Sequence, residues 1–239
     1  MNLENVRMLE LAAEHLDSLL GEVVFVGGAT VELWVTDEAA PEFRPTDDVD
    51  VIAEITTTRD FHRFEKRVRK LGLENDQQSG VICRFRHPDS GLLVDVMPTE
   101  ASILGFENRW QGEAFPHAVE VALPSGKPIQ AIPPPYLLAT KLEAFKTRGK
   151  GDLYGSRDFG DVVALIDGRE ELMAEVGNAP AALREYVAGQ LSELSQHPVF
   201  DNGLEGALPS SPETRARVEL VIRPRIAAIL GMGNQSFRA

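Results

Sequence analysis

Asp48 and Asp50 are the residues whose type and spacing most directly indicate chemistry in this chain. The short apolar run around them, residues 48–55, predicts a buried strand, and alternate side chains of a strand project to the same face. Two carboxylates side by side on a buried strand repel each other and lose hydration unless a cation compensates them. A divalent cation is the simplest compensation, and hard oxygen ligands suit Mg²⁺ or Mn²⁺.

Asp95 repeats this pattern in a second apolar strand, predicted over residues 92–97. If the two strands are neighbours, Asp48, Asp50 and Asp95 converge at one end of the sheet. An Asp-x-Asp pair alone is weak evidence, because such pairs also occur in loops and at strand ends. The carboxylates therefore indicate a metal site only in combination with further features.

Gly27 and Gly28 supply such a feature, because they follow a predicted strand and precede a predicted helix. Glycine lets the backbone approach a ligand closely, and the N–H groups at a helix start attract phosphate. The alternative interpretation is a tight turn between strand and helix with no ligand. By itself this segment supports both interpretations equally.

The sequence predicts alternating helices and strands in the first part of the chain and only helices in the second part. Proline residues 133–135 divide the two parts, because proline lacks a backbone donor and ends sheet pairing. Helices are predicted over residues 3–20, 29–35 and 59–71, and strands over 22–26, 48–55, a hairpin of 81–86 and 92–97, 119–123 and 129–132. Downstream, helices are predicted over 135–148, 157–167, 180–195 and 214–230. The predicted fold is α/β (α+β), a mixed sheet flanked by helices in residues 1–131, followed by a helical domain in residues 132–239.

The composition limits the function classes. A chain of 239 residues that is 43% hydrophobic and 26% charged is not a disordered or coiled-coil protein. Its formal net charge of −13 argues against a broad nucleic-acid-binding surface. The single cysteine, Cys83, makes no internal disulfide and is expected to be a buried small hydrophobe. A secretory leader and a long apolar run are both missing, so we expect a cytoplasmic protein without membrane contact.

Taken together, these features resemble the polymerase-β-like nucleotidyltransferase superfamily. The closest resemblance is to the AbiEii toxin nucleotidyltransferases. It rests on five segments spread over residues 22–168: Gly27-Gly28, Arg44-x-Thr46-x-Asp48-Val49-Asp50, Asp95, Lys141-Leu142-x-Ala144-x-x-x-Arg148 and Arg157-Asp158-x-x-Asp161. The sequence departs from the family pattern at Ala29, which stands between the glycines and Thr30.

The resemblance implies a nucleotidyltransferase fold and a role for each matching residue. Its implied metal ligands and catalytic carboxylates are Asp48, Asp50 and Asp95, with Lys141 and Asp161 completing the catalytic set. Its implied nucleotide-binding residues are Gly27, Gly28, Thr30, Thr46, Lys141 and Arg148. In these roles Lys141 contacts the nucleotide phosphates and Asp161 orients Lys141 or the acceptor. The alternative for the last segment is an exposed helix pair of Arg157 and Asp161, contributing about 0.3–0.5 kcal/mol.

The resemblance also implies an activity: transfer of a nucleotide from an NTP to an acceptor hydroxyl, by the toxin of a toxin–antitoxin or phage-defence system. The implied acceptor is an RNA such as tRNA, and the implied partner is a cognate antitoxin. The acidic composition keeps open a small-molecule acceptor of the aminoglycoside type. A catalytically silent nucleotide- or partner-binding module is the third hypothesis.

A basic stripe on the predicted helix 59–71 is the candidate surface for an RNA acceptor. Its members are Arg59, Arg63, Lys66, Arg67 and Lys70. Arg84 and Arg86, which alternate along a predicted strand, are expected to extend it. The alternative is an ordinary solvated helix face.

Overall fold

The computed structural model describes residues 3–105 and 108–233. Residues 1, 2, 106, 107 and 234–239 of the two predicted domains lie outside the described residues. The strands are β1 (Val23–Val26), β2 (Val49–Ala53), β3 (Glu74–Asn75), β4 (Arg84–Arg86), β5 (Leu93–Pro98), β6 (Val119–Ala122) and β7 (Pro128–Ala131). Within the described residues these seven strands form one sheet in the order β3-β4-β5-β2-β1-β7-β6.

The middle of the sheet is its apolar part. All four residues of β1 are buried, and four of the five residues of β2 are buried as well. β2 pairs antiparallel with β1 and parallel with β5, whereas β4 and β5 form the predicted antiparallel hairpin. The mixed α/β sheet expected from the sequence is therefore confirmed.

Helices pack on this sheet through spaced apolar residues. The helices of the sheet-containing part are α1 (Leu3–His15), α2 (Thr58–Lys70) and α3 (Arg109–Ala114). α2 begins after Thr57, whose side-chain hydroxyl accepts a hydrogen bond from the backbone N–H of Asp60, a standard N-cap. It buries Phe61, Phe64 and Val68, whose spacing of three and four residues keeps them on one face. The helix predicted over residues 29–35 is a 3₁₀ helix over Ala29–Trp34.

The second half of the chain is helical. Its helices are α4 (Pro134–Thr147), α5 (Arg157–Gly168), α6 (Leu172–Asn178), α7 (Ala181–Ser195), α8 (Phe200–Gly206), α9 (Thr214–Arg217) and α10 (Arg223–Gly233). α4 is buried around nearly its whole circumference, which is typical of a central helix. The helix predicted over residues 214–230 is interrupted by a π-helical turn at Val218–Ile222. The short helices α3, α6 and α8 were not predicted.

The described residues divide into two compact units. The first contains residues up to Leu33 and Arg44–Pro133, and the second contains Trp34–Phe43 and the residues from Pro134 onward. The sequence-based division at residue 131 assigned 34–43 to the first domain, but this segment joins the helices. The reason is backbone pairing, because the N–H groups of Thr36 and Asp37 donate to the carbonyl of Gly168 at 2.8 and 3.0 Å.

Across residues 3–105 and 108–233, no helix combines the length and the apolar content of a membrane span.

Candidate active site

Two neighbouring strands of the first unit, β2 and β5, bring acidic side chains together. In the parallel pair of β2 and β5, Asp50 lies directly opposite Asp95. Register partners in a sheet share a face, so the two carboxylates project to the same side. Asp48 precedes β2 by one residue, and across β1 the partner of Asp50 is Val26, the last residue before the glycines. The expectation that the two acidic strands are neighbours thus agrees with the register.

Gly27 lies against the carboxylate of Asp50. Its φ of +80° belongs to the left-handed region, which glycine adopts without strain. A Cβ atom at this position would lie 1.8 Å from Oδ2 of Asp50, far inside contact distance. The backbone turn and the carboxylate can therefore be this close only because residue 27 has no side chain.

Thr30 stabilises this turn through a side-chain hydrogen bond. Its side chain is fully buried, and its hydroxyl donates a 2.8 Å hydrogen bond to the carbonyl of Gly27. The predicted contact between Thr30 and a nucleotide stays a prediction. The side chain shapes the glycine turn, and the extra residue Ala29 does not prevent it from doing so.

Thr46, like Thr30, stabilises the backbone near the site, in the segment that precedes β2. Its N–H donates to Oδ1 of Asn5 at 2.9 Å, and its hydroxyl lies 3.3 Å from the carbonyl oxygen of Asp48. The residue is 8% exposed, and its contact with a nucleotide stays a prediction. Thr46 ties the chain before Asp48 to α1, which carries Asn5.

Arg84 also belongs to this site, although its sequence pattern predicts an exposed basic surface. Its Nε and Nη2 atoms donate to Oδ1 and Oδ2 of Asp95 at 2.7 and 2.8 Å, a bidentate ion pair. Nη2 also pairs with Oδ2 of Asp48. The Arg84 side chain is only 15% exposed. Its predicted place on an exposed RNA-binding surface is therefore wrong, because its guanidinium lies among the acidic residues.

We call Asp48, Asp50, Asp95 and Arg84 the carboxylate–arginine cluster. Hydrogen bonding to Asp95 is the main factor that raises the pKa of Arg84. Desolvation acts against it, while the charges of Asp95, Asp48 and Asp50 add to it. All three carboxylates thus act on one guanidinium. The observed hairpin pairs Arg84 with Asp95 around residues 87–92. The predicted turn at residues 87–91 is one residue shorter and would have placed Val94 opposite Arg84.

The arrangement differs from a ready-made metal site. Within the part of the chain that the structure describes, no three histidine, cysteine or acidic side chains are grouped to hold a metal ion. Instead, the guanidinium of Arg84 lies between the carboxylates and contacts oxygens of both Asp48 and Asp95. The donor chemistry nevertheless fits a hard divalent cation, because carboxylate oxygens are the ligands such ions prefer and two of these carboxylates already pair with a positive charge.

Cys83 lies directly beside the cluster and is 3% exposed, as predicted for a buried small hydrophobe. Burial, followed by the negative charges of Asp95 and Asp50, raises the pKa of this thiol to about 12. A thiol with such a pKa stays protonated at neutral pH and is a poor nucleophile.

The helical unit contains a second group of charged residues. Nζ of Lys141 on α4 lies 2.5 Å from Oδ2 of Asp161 and 3.5 Å from Oδ1 of Asp158, both on α5. Arg148 makes a bidentate pair with Asp158 through distances of 2.7 and 2.8 Å. Lys141 and both aspartates are buried, and Asp161 is fully so.

This buried network decides between the two interpretations of the Arg157–Asp161 segment. An exposed helix pair is wrong, because Asp161 has no exposed surface and its carboxylate meets Lys141. Burial of Asp158 opposes its ionisation, but the hydrogen bond from Arg148 and the charge of Lys141 lower its pKa below the ordinary value. Two buried acids therefore hold the amine of Lys141 in place.

The comparison with known families agrees with this geometry. The chain matches the family described as nucleotidyl transferase AbiEii toxin, type IV TA (toxin–antitoxin) system, over residues 11–232. That match covers most of the chain, and the chain belongs to the AbiEii family of nucleotidyltransferase toxins. A search among curated proteins finds no match. Membership of a toxin–antitoxin family implies an antitoxin partner and a nucleotide substrate.

Proposed function

We propose that this chain is a metal-dependent nucleotidyltransferase that moves a nucleotide from an NTP to a hydroxyl group of an RNA such as tRNA. The observation that carries the proposal is the register of β2 and β5, which sets Asp50 opposite Asp95 next to the Gly27 turn. Carboxylates beside a glycine turn are what a triphosphate with its counter-ions requires.

Each residue of the first unit takes a role that follows from its chemistry. Asp48, Asp50 and Asp95 would hold Mg²⁺ or Mn²⁺, which when bound neutralises triphosphate charge and stabilises the attacking and leaving oxygens. Gly27 and Gly28 leave their backbone accessible to the phosphates, because they carry no side chain. Thr30 and Thr46 hold the two segments that present these groups.

The reaction requires no covalent intermediate with the protein. The acceptor oxygen forms a bond to the α-phosphorus, and the bond from that phosphorus to the pyrophosphate oxygen breaks. We assign the proton of the acceptor hydroxyl to Asp95, which is the more buried partner of the Asp48–Asp95 pair. The contact of Lys141 and Arg148 with nucleotide phosphates stays a prediction, and we propose that Asp161 orients Lys141 through their 2.5 Å ion pair.

The basic face of α2 favours RNA over a small molecule as the acceptor. Although the whole chain carries a net charge of −13, α2 has six lysines and arginines against two acidic residues. Arg59, Lys66 and Lys70 on this face are exposed. A local positive surface of this kind binds phosphates independently of sequence.

The test is an acceptor competition with α-labelled NTPs. The purified chain is incubated with each labelled NTP in the presence of total tRNA, or of an aminoglycoside, and the labelled product is identified. We expect label in the tRNA fraction, and we expect weaker transfer when Lys66 and Lys70 are changed to Glu. Label in the aminoglycoside would instead establish the small-molecule alternative, and no label in any acceptor would favour the silent module.

A further inference from the structure

Arg84 lies where the proposed function needs a metal ion. The inference drawn from this position rests on the proposed function. Its guanidinium makes three hydrogen bonds to the cluster, two to Asp95 and one to Asp48. These are the same oxygens that the proposed cation would use. A guanidinium and a divalent cation cannot share them fully, because both need the carboxylate lone pairs.

A purely structural ion pair is the competing explanation, and the neighbouring arginine shows the difference. Arg86 lies two residues along β4 and contacts Asp76, an acid outside the cluster, at 3.4 Å. Arg84 meets two proposed ligands, and the charge of Asp50 acts on it as well. The two arginines share a strand, but only Arg84 neutralises the cluster.

We propose that Arg84 is an internal counter-ion that occupies the cation position of the cluster and gives it up when Mg²⁺ or Mn²⁺ binds. While it is in place, it prevents mutual repulsion from separating Asp48, Asp50 and Asp95. Its positive charge also lowers the affinity of the cluster for a divalent cation. Arg84 is therefore a positioning residue that sets the metal concentration at which the site becomes active.

The test measures binding of Mn²⁺ alone to the full chain by isothermal titration calorimetry, after treatment with a chelator and its removal. We expect Arg84→Gln to bind Mn²⁺ about tenfold or more tightly than the original chain, because a competing charge is gone. Arg84→Lys keeps the charge but loses the bidentate geometry, so its affinity should fall in between. Arg86→Gln is the matched control and should bind Mn²⁺ as the original chain does.

Thermal unfolding provides a second readout that does not depend on activity. Without metal, Arg84→Gln should unfold at a lower temperature, because the carboxylates lose their counter-ion. Mn²⁺ should restore that loss in Arg84→Gln and change little in Arg86→Gln. If Arg84→Gln does not fold, the Mn²⁺ affinity of Arg84→Lys tests the inference, and we expect it to be higher than that of the original chain.

Three results would overturn the inference. If Mn²⁺ affinity is unchanged or weaker in Arg84→Gln, or unchanged in Arg84→Lys, the arginine is a fixed structural pair. If in addition the original chain still transfers nucleotides in Mg²⁺, only this inference fails. If no variant binds Mn²⁺ and the original chain transfers no nucleotide, the proposed function fails with it.

Discussion

Substitution of Gly27 by Ala tests how closely the glycine turn and the acidic strand depend on each other. The new Cβ would lie 1.8 Å from Oδ2, 2.6 Å from Cγ and 2.8 Å from Cβ of Asp50. Real Cβ atoms do not approach other atoms this closely, so the Asp50 side chain must rotate away or the turn must shift. A non-glycine residue at a φ of +80° also costs about 1–3 kcal/mol in backbone strain.

Gly126 offers a matched control for the strain component. Its φ is +85°, yet a Cβ at this position would meet no atom within 4 Å. Gly126→Ala and Gly27→Ala should therefore share the backbone strain, which lowers the midpoint of thermal unfolding by about 2–4 °C per kcal/mol. Only Gly27→Ala should also displace the carboxylate of Asp50.

The assay compares nucleotide transfer from α-labelled NTP with the unfolding midpoint of both variants. We expect Gly126→Ala to keep its activity despite reduced stability. Gly27→Ala should lose activity by about 100-fold or more, which is the typical effect of misplacing a group that contacts the reacting atoms. Equal activities of the two variants at a temperature where both are folded would refute the link between the turn and the site.

Three further predictions concern buried charges. Asp161→Asn should lower the free energy of unfolding by about 3 kcal/mol in urea titrations, because it removes the closest counter-ion of buried Lys141; a loss below about 1 kcal/mol would contradict this. The lowered pKa of Asp158 means that its stabilising contribution is present above its unfolded pKa of about 3.9 and is lost as the pH falls through the folded value. Asp158→Asn should therefore flatten the acid side of the stability–pH curve, and an unchanged slope would count against the pairing. Cys83, with a pKa of about 12, should resist an aromatic disulfide reagent at pH 8 and react in denaturant; rapid labelling of the folded chain would show that the thiol is accessible.

The parts of the fold that could be predicted are those that depend on local patterns. The strand alternation around Asp48 and Asp50 predicts a shared face, and the turn at residues 87–91 predicts the hairpin of β4 and β5. The double glycine after β1 predicts a tight turn. In each of these cases the cause lies within a few residues of its effect.

The remaining features depend on pairings between distant segments. Thr46 is fixed by Asn5, which is 41 residues away, so no local pattern reveals that it supports Asp48. Arg84 was misassigned because a basic residue on a strand was interpreted without the register that sets it against Asp95. Residues 34–43 join the helices through Gly168, a backbone contact that the side-chain pattern does not encode.

The short helices were missed for a different reason. α6 and α8 have seven residues each, about two turns, which is too short to establish a helical period. Both are stabilised by packing, since each buries apolar residues such as Leu172 and Leu204. Helices of this length follow from tertiary structure and carry little local signal.

The most direct test of the central claim compares two aspartates three residues apart, Asp47 and Asp50, in Mg²⁺-dependent pyrophosphate release. Asp50 lies opposite Asp95 in the sheet, whereas Asp47 is exposed and precedes the strand. We expect Asp50→Asn to reduce NTP-dependent pyrophosphate release by about 100-fold or more, and the chelator EDTA to abolish it in the original chain. Asp47→Asn should retain activity. Equal activity of the two variants, or release that persists in EDTA, would contradict a metal-dependent reaction at this carboxylate cluster.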